Sequence, residues 1–181
     1  MAKDFDPRRL DVRRFAEEGG QLDASDALGT YPRLVKETVE TERRAREVRW
    51  HARGEILNPR HVQPEVWVHV EADASVPLVC QRCLQAVDVP LSVDRSFRFV
   101  ADEATAAAED DEAEEDLLAL SRSFDLVELV EDELLMELPL SPRHDVCPEA
   151  VKMSAEDPGF EAAGAEKVHP FAVLGRLKTG K

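Results

Sequence analysis

From Glu47 to Phe99 the apolar residues of this chain fall in runs at every second position, and that period leaves little choice of fold. Val48, Trp50 and Ala52 alternate with Glu47, Arg49, His51 and Arg53. Beyond the turn dipeptide Asn58-Pro59, Val66, Val68 and Val70 alternate with Glu65, Trp67 and His69. Runs from Pro77 to Cys80 and from Val87 to Leu91 flank a two-cysteine turn, and Val93, Phe97 and Phe99 share one parity. Successive side chains of a strand point to opposite faces, so each run presents one apolar face. The links between runs are too short for parallel crossovers. The expectation is an α+β fold. It is an antiparallel β-meander of four to six strands, or a partly open barrel, with short helices and an acidic loop hanging from it.

Helical signals lie on either side. Pro7 to Glu18 reads as a short helix, with Leu10, Arg14 and Phe15 at helical spacing and Gly19-Gly20 to stop it. Residues 19–30 are polar and read as a loop, and Pro32 suits the first turn of a second helix, Tyr31 to Lys36. The best helix runs from Asp125 to Leu138. Asp125 can cap it with Glu128 three residues on, and Leu126, Val127, Val130, Leu134 and Leu138 form its stripe. Pro139 ends it, and Glu128, Glu131, Asp132, Glu133 and Glu137 read as its wet face. Residues 154–167 read as a linker, and Pro170 to Lys178 as a final helix with Phe171, Val173, Leu174 and Leu177 available for docking. The chain then divides into 1–45, short helices and loop; 46–100, antiparallel strands with the C-x-x-C knuckle; 101–122, an acidic flexible loop; and 123–181, the main helix, an H-x-x-C segment and the docking helix. Residues 46–181 are expected to form one domain with the N-terminal part packed on it.

The net charge of −15 is concentrated: residues 101–138 hold fifteen acidic residues against Arg122 alone, whereas residues 1–60 hold thirteen basic and twelve acidic. Bulk acidity opposes non-specific nucleic-acid binding. A local basic face remains available in Arg43, Arg44, Arg46, Arg49, Arg53 and Arg60, interleaved with Trp50 and His51. The stretch 101–116 has no apolar stripe and reads as a solvated loop with some transient helix, with mimicry of nucleic-acid phosphate toward a basic protein as the sharper reading. No apolar run is long enough to span a membrane and the N-terminus lacks a signal-peptide core, so a cytoplasmic protein is expected.

Chemistry is confined to the thiols. Cys80-Gln81-Arg82-Cys83 is a C-x-x-C, and His144-Asp145-Val146-Cys147 an H-x-x-C. Each pair can chelate from one tight turn, so Cys80, Cys83, His144 and Cys147 together can hold one structural zinc. Two other readings stand beside it: small, partly buried thiols without a ligand, and a redox pair. The redox reading is the weaker, because strand follows strand where thioredoxin-like sites open a helix. G-x-S-x-G, phosphate-binding glycine loops and H-E-x-x-H are all missing from the sequence. An enzyme, a small-molecule substrate and a membrane partner are therefore not expected.

Three segments in order carry a resemblance. They are Cys80-Gln81-Arg82-Cys83-Leu84 after a valine-rich strand; Asp125 to Leu135 closing through Leu138-Pro139-Leu140-Ser141-Pro142-Arg143-His144; and Pro170-Phe171-Ala172-Val173-Leu174 with Lys178. Over roughly residues 60–178 this resembles the YceD family, with one departure: His169 stands where the family usually has asparagine before Pro-Phe. The resemblance implies a non-enzymatic ribosome-biogenesis factor, serving synthesis, processing or stability of 23S rRNA during large-subunit assembly. Its partner is then 23S rRNA or a 50S precursor. The alternative is a binding protein or chaperone for a basic large-subunit ribosomal protein, using the acidic segment without touching RNA.

Overall fold

The computed structural model describes residues 5–40, 46–62 and 64–149. Its contacts gather Met1–Val146 into one unit and Cys147–Lys181 into another, of which residues 147–149 are described. Arg43, Arg44, the linker and the docking helix lie outside the described residues.

The period-two runs become three long strands: β2 (Glu47–Leu57), β3 (Glu65–Val79) and β4 (Ala86–Val100). The runs before and after the cysteine turn are not separate strands, because β3 and β4 each extend through fifteen residues as one hairpin. A shorter strand, β1 (Gln21–Ala27), pairs with β2, and β5 (Asp116–Ala119) with β4. The sheet is open, in the order β1-β2-β3-β4-β5. Its inner face buries Val48, Trp50, Ala52, Val68, Val70 and Phe97. Its outer face carries the alternate residues, mostly polar or charged.

Two stretches differ from the sequence expectation. Residues 19–30, expected as a loop, hold β1 and a 3-10 turn, Leu28–Thr30. The acidic stretch 101–122, expected as a flexible loop, forms helix α3 (Glu103–Glu109) and then β5. Asp102 caps that helix, accepting from the Thr105 N–H at 2.8 Å. Residues 101–115 thereby supply the crossover that parallel pairing needs, and β5 runs parallel to β4.

Helix α1 (Val12–Glu17) is capped by Asp11, which accepts from the Arg14 N–H. It ends where Gly19 takes φ +59° and the Gly20 N–H donates to Phe15 O at 2.8 Å. Its Phe15 lies fully buried over Gly54 of β2, where a Cβ would stand 2.7 Å from the ring. Ahead of it, Leu10 and Phe124 form a two-way bridge, and the Val12 N–H donates to Ser121 O at 3.2 Å. The N-terminal segment is thus a strap against residues 121–126.

Helix α4 (Leu126–Met136) starts as expected, with Asp125 accepting from the Glu128 N–H at 2.9 Å. Its acidic residues are not all wet: Glu131 is 5% and Glu133 8% exposed. Helix α2 (Pro32–Glu37) explains the first. Its N-cap residue, Tyr31, makes no side-chain cap bond. The Glu131 carboxylate does that work, accepting from the Arg33 N–H at 2.6 Å and the Leu34 N–H at 3.1 Å. Two orphan donors at a helix start are satisfied by a residue from another helix. Glu133 faces Arg95, which projects from the inner face of β4, at 3.8 Å.

Candidate metal centre

Six residues close the β3–β4 hairpin, and their backbone builds a knuckle. The Cys80 N–H donates to Gln85 O at 2.8 Å and the Leu84 N–H to Cys80 O at 2.9 Å. Leu84 closes the turn at φ +62°, a left-handed conformation that glycine adopts without strain. The chain leaving α4 reaches this turn. The Gln81 N–H donates to Pro142 O at 2.8 Å, and the Arg82 guanidinium donates to the carbonyls of His144 and Asp145. These bonds fix His144 against the knuckle, and its Nδ1 lies 3.4 Å from Cys83 Sγ.

The four residues read from the sequence come together. One ligand atom from each of Cys80, Cys83, His144 and Cys147 lies within 4.8 Å of the others. A zinc tetrahedron, with sulfur at about 2.3 Å and nitrogen at about 2.0 Å, puts its ligand atoms roughly 3.5–3.8 Å apart. The Cys83–His144 separation already matches this. Cys80 is fully buried, and Cys80, Cys83 and Cys147 form no disulfide. Burial opposes ionisation of the Cys80 thiol. The backbone N–H groups of Cys83, His144 and Arg82 and the His144 side chain outweigh it, and the thiol is pushed down to about 5. A buried thiolate held by backbone amides is the form that binds zinc. The set of three sulfurs and one imidazole is compatible with zinc and unsuited to hard, oxygen-seeking cations.

The knuckle joins two strands, not a strand and a helix start, so it lacks the setting of a thioredoxin-like site. Arg82 sat in view inside the C-x-x-C, but its targets lie 62 and 63 positions away and no local pattern announces them.

The arginines proposed for RNA contact do not form one patch among the described residues. Arg46 donates to Asp88 at 2.6 Å. Arg49 and Arg53 project from the outer face of β2, Arg49 opposite Asp73 and Arg53 beside Glu55 at 3.3 Å. Arg60 is exposed in the turn after β2. Trp50 points the other way: it is 5% exposed and its Nε1 donates to Asp26, so it offers no face for stacking on a base. On the outer face, carboxylates such as Glu47, Glu55, Glu71, Asp73 and Asp94 outnumber the arginines. No described helix is long and apolar enough to cross a membrane.

A family model described as large ribosomal RNA subunit accumulation protein YceD matches residues 68–178. The matched span holds all four metal-ligand candidates, most of β3, and β4, β5 and α4. No solved structure matches the chain.

Proposed function

This chain belongs to the YceD family, the large ribosomal RNA subunit accumulation proteins, and from that premise we propose that it is a cytoplasmic, non-enzymatic factor supporting synthesis, processing or stability of 23S rRNA during large-subunit assembly. The observation that carries the reading is the family match through the hairpin, α4 and the segment between them. Within that role, Cys80, Cys83, His144 and Cys147 hold one structural zinc. The ion supplies cross-linking, not reaction chemistry: it ties the β3–β4 turn to the chain leaving α4, and Arg82 and Gln81 align the two segments beforehand.

The test is genetic and quantitative. Cells lacking the protein should show a lowered ratio of 23S to 16S rRNA, restored by the full chain and not by Cys83→Ser. An unchanged ratio on deletion would sink the rRNA role. Elemental mass spectrometry of protein purified without chelator reads the metal separately. One zinc per chain is expected, and a metal-free, fully folded protein would refute the site.

A second reading, contact with a basic large-subunit protein in place of RNA, is favoured by charge. The outer sheet face sets Arg49 among Glu71 and Asp73, and α3 adds Glu103 and Glu109. Such a surface repels phosphate and attracts lysine and arginine. RNA contact through Arg46, Arg49 and Arg53 would weaken steeply with salt and vanish when they are replaced by alanine.

A further inference from the structure

Strand β1 is an edge: among the described residues it pairs with β2 and with no strand on its other side. The register fixes what that edge offers. The Gly54 N–H donates to Gly20 O and the Leu28 N–H to Arg46 O, each at 2.9 Å, in step with the pairing from Gln21↔Arg53 to Ala27↔Glu47. Hydrogen-bonded pairs alternate along an antiparallel ladder. Leu22, Ala24 and Asp26 therefore turn their amides to β2, while Gln21, Asp23 and Ser25 turn theirs outward. The edge carries no proline and no lysine, two of the usual devices that blunt such edges.

Beside the edge, an open groove of about 460 Å3 crosses the outer face, lined by Asp23, Ser25, Arg49, His51, Glu71 and Asp73. Register brings Asp94 of β4 opposite Glu71. Glu71, Asp73 and Asp94 make no ion pair among the described residues, so the groove is acidic around a single arginine. The edge offers main-chain bonds to an extended chain, and the groove selects that chain's charge.

We propose that the β1 edge and this groove dock an extended, arginine- or lysine-rich polypeptide segment, which adds as a sixth strand beside β1. The proposal deepens the reading of a basic protein partner given above and rests on it. Adjacent strands lie about 4.8 Å apart; Asp23 Oδ1 is held by His51 Nδ1 at 2.7 Å, and a basic side chain on the added strand reaches the exposed carboxylate at Oδ2. Glu71 and Asp73, deeper in the groove, draw it by their field. Strand addition divides the work in the usual way, with backbone bonds giving affinity and side chains giving specificity. A second copy of this chain is a poorer occupant, because its β1 would bring Asp23 and Asp26 of both molecules onto one edge. RNA is poorer still, since its phosphates would meet the carboxylates.

The experiment titrates a short peptide of alternating arginine and valine into the full chain by calorimetry and reads amide exchange by NMR. Binding is expected, with slowed exchange at the Asp23 and Ser25 amides. Ser25→Pro removes an outward donor and spares the β1–β2 ladder, and should weaken binding about tenfold. The surface pair Asp23→Lys with Glu71→Lys should weaken it at least as much, and serves should the proline variant not fold. Absent binding, binding indifferent to both variants, dimerisation through β1 in the ultracentrifuge, or tighter binding of single-stranded RNA at the same amides would each overturn the proposal. The two readings fail separately: lost peptide binding leaves the 23S ratio of the deletion strain to speak for itself, and an unchanged 23S ratio leaves the peptide titration untouched.

Discussion

Replacing Glu131 with alanine isolates the contact between α2 and α4. The Glu131 side chain is 6% exposed and accepts three hydrogen bonds, from the Arg33 and Leu34 amides and from Arg33 Nε. Leu34 is fully buried, so stranding its N–H costs about 1–3 kcal/mol, and the Arg33 N–H adds about 1. The Arg33 guanidinium is 40% exposed, and solvent screening holds its share below about 1 kcal/mol. The loss should be about 3 kcal/mol, a large part of the roughly 5–15 kcal/mol that holds a domain together. For a chain of this size that lowers Tm by about 6–12 °C. Urea titration followed by circular dichroism measures it. The control is Asp132→Ala: Asp132 pairs with the same arginine at 2.5 Å but is 46% exposed, and its removal should cost less than about 1 kcal/mol. Glu131→Gln, which keeps an acceptor oxygen, should fall between the two. Equal losses for Glu131→Ala and Asp132→Ala would refute the reasoning, because burial and capping would then decide nothing.

Other outcomes follow from the same structure. Cys83→Ser should lose the zinc, and its Tm should no longer respond to chelator, whereas that of the unaltered chain should fall on chelation. Burial, partly offset by Arg95, raises the Glu133 carboxyl above its ordinary range. The raised folded value makes its contribution favourable at low pH and lost as pH rises through that value. Glu133→Gln should therefore be the more stable protein at neutral pH, with the difference shrinking toward and below about pH 4, where the unfolded carboxyl also protonates; a constant difference across the range would contradict this. Gly54→Ala drives a methyl to within 2.7 Å of the Phe15 ring and 2.9 Å of the Ala16 backbone, and should cost about 1–3 kcal/mol in a thermal melt.

The strands and the main helix were legible because each announces itself locally. In β2 and β3 one face is apolar at every second residue, and Asp125 with Glu128 marks the start of α4 within four residues. The donor set was legible for the same reason, as two close pairs whose spacing has a chemical meaning. What escaped notice depends on partners distant in sequence. β1 carries only Leu22, Ala24 and Asp26 on its inner side, and Asp26 is acceptable there only because Tyr31 and Trp50 donate to it. Glu131 reads as wet until Arg33, 98 positions earlier, arrives beside it. The stretch 101–122 looked unstructured because its carboxylates hide the cap at Asp102 and the four-residue β5. Arg98, which binds Glu109 and Glu115, lies before the acidic run and gives no sign of being its anchor.

The strap between the N-terminal segment and residues 121–126 bears on how the chain is born. Phe124 follows its bridge partner Leu10 by 114 positions, and translation adds roughly 5–20 residues per second. The segment around Leu10 therefore waits about 6–23 s for the partner that bridges it. During that interval Leu10 and Val12, both buried at the end, lack the backbone partners that Phe124 and Ser121 later supply. Until residues 121–124 are made, the edge that Leu10 and Val12 present is open to any nascent-chain chaperone, and the bridge closes it just before α4 begins.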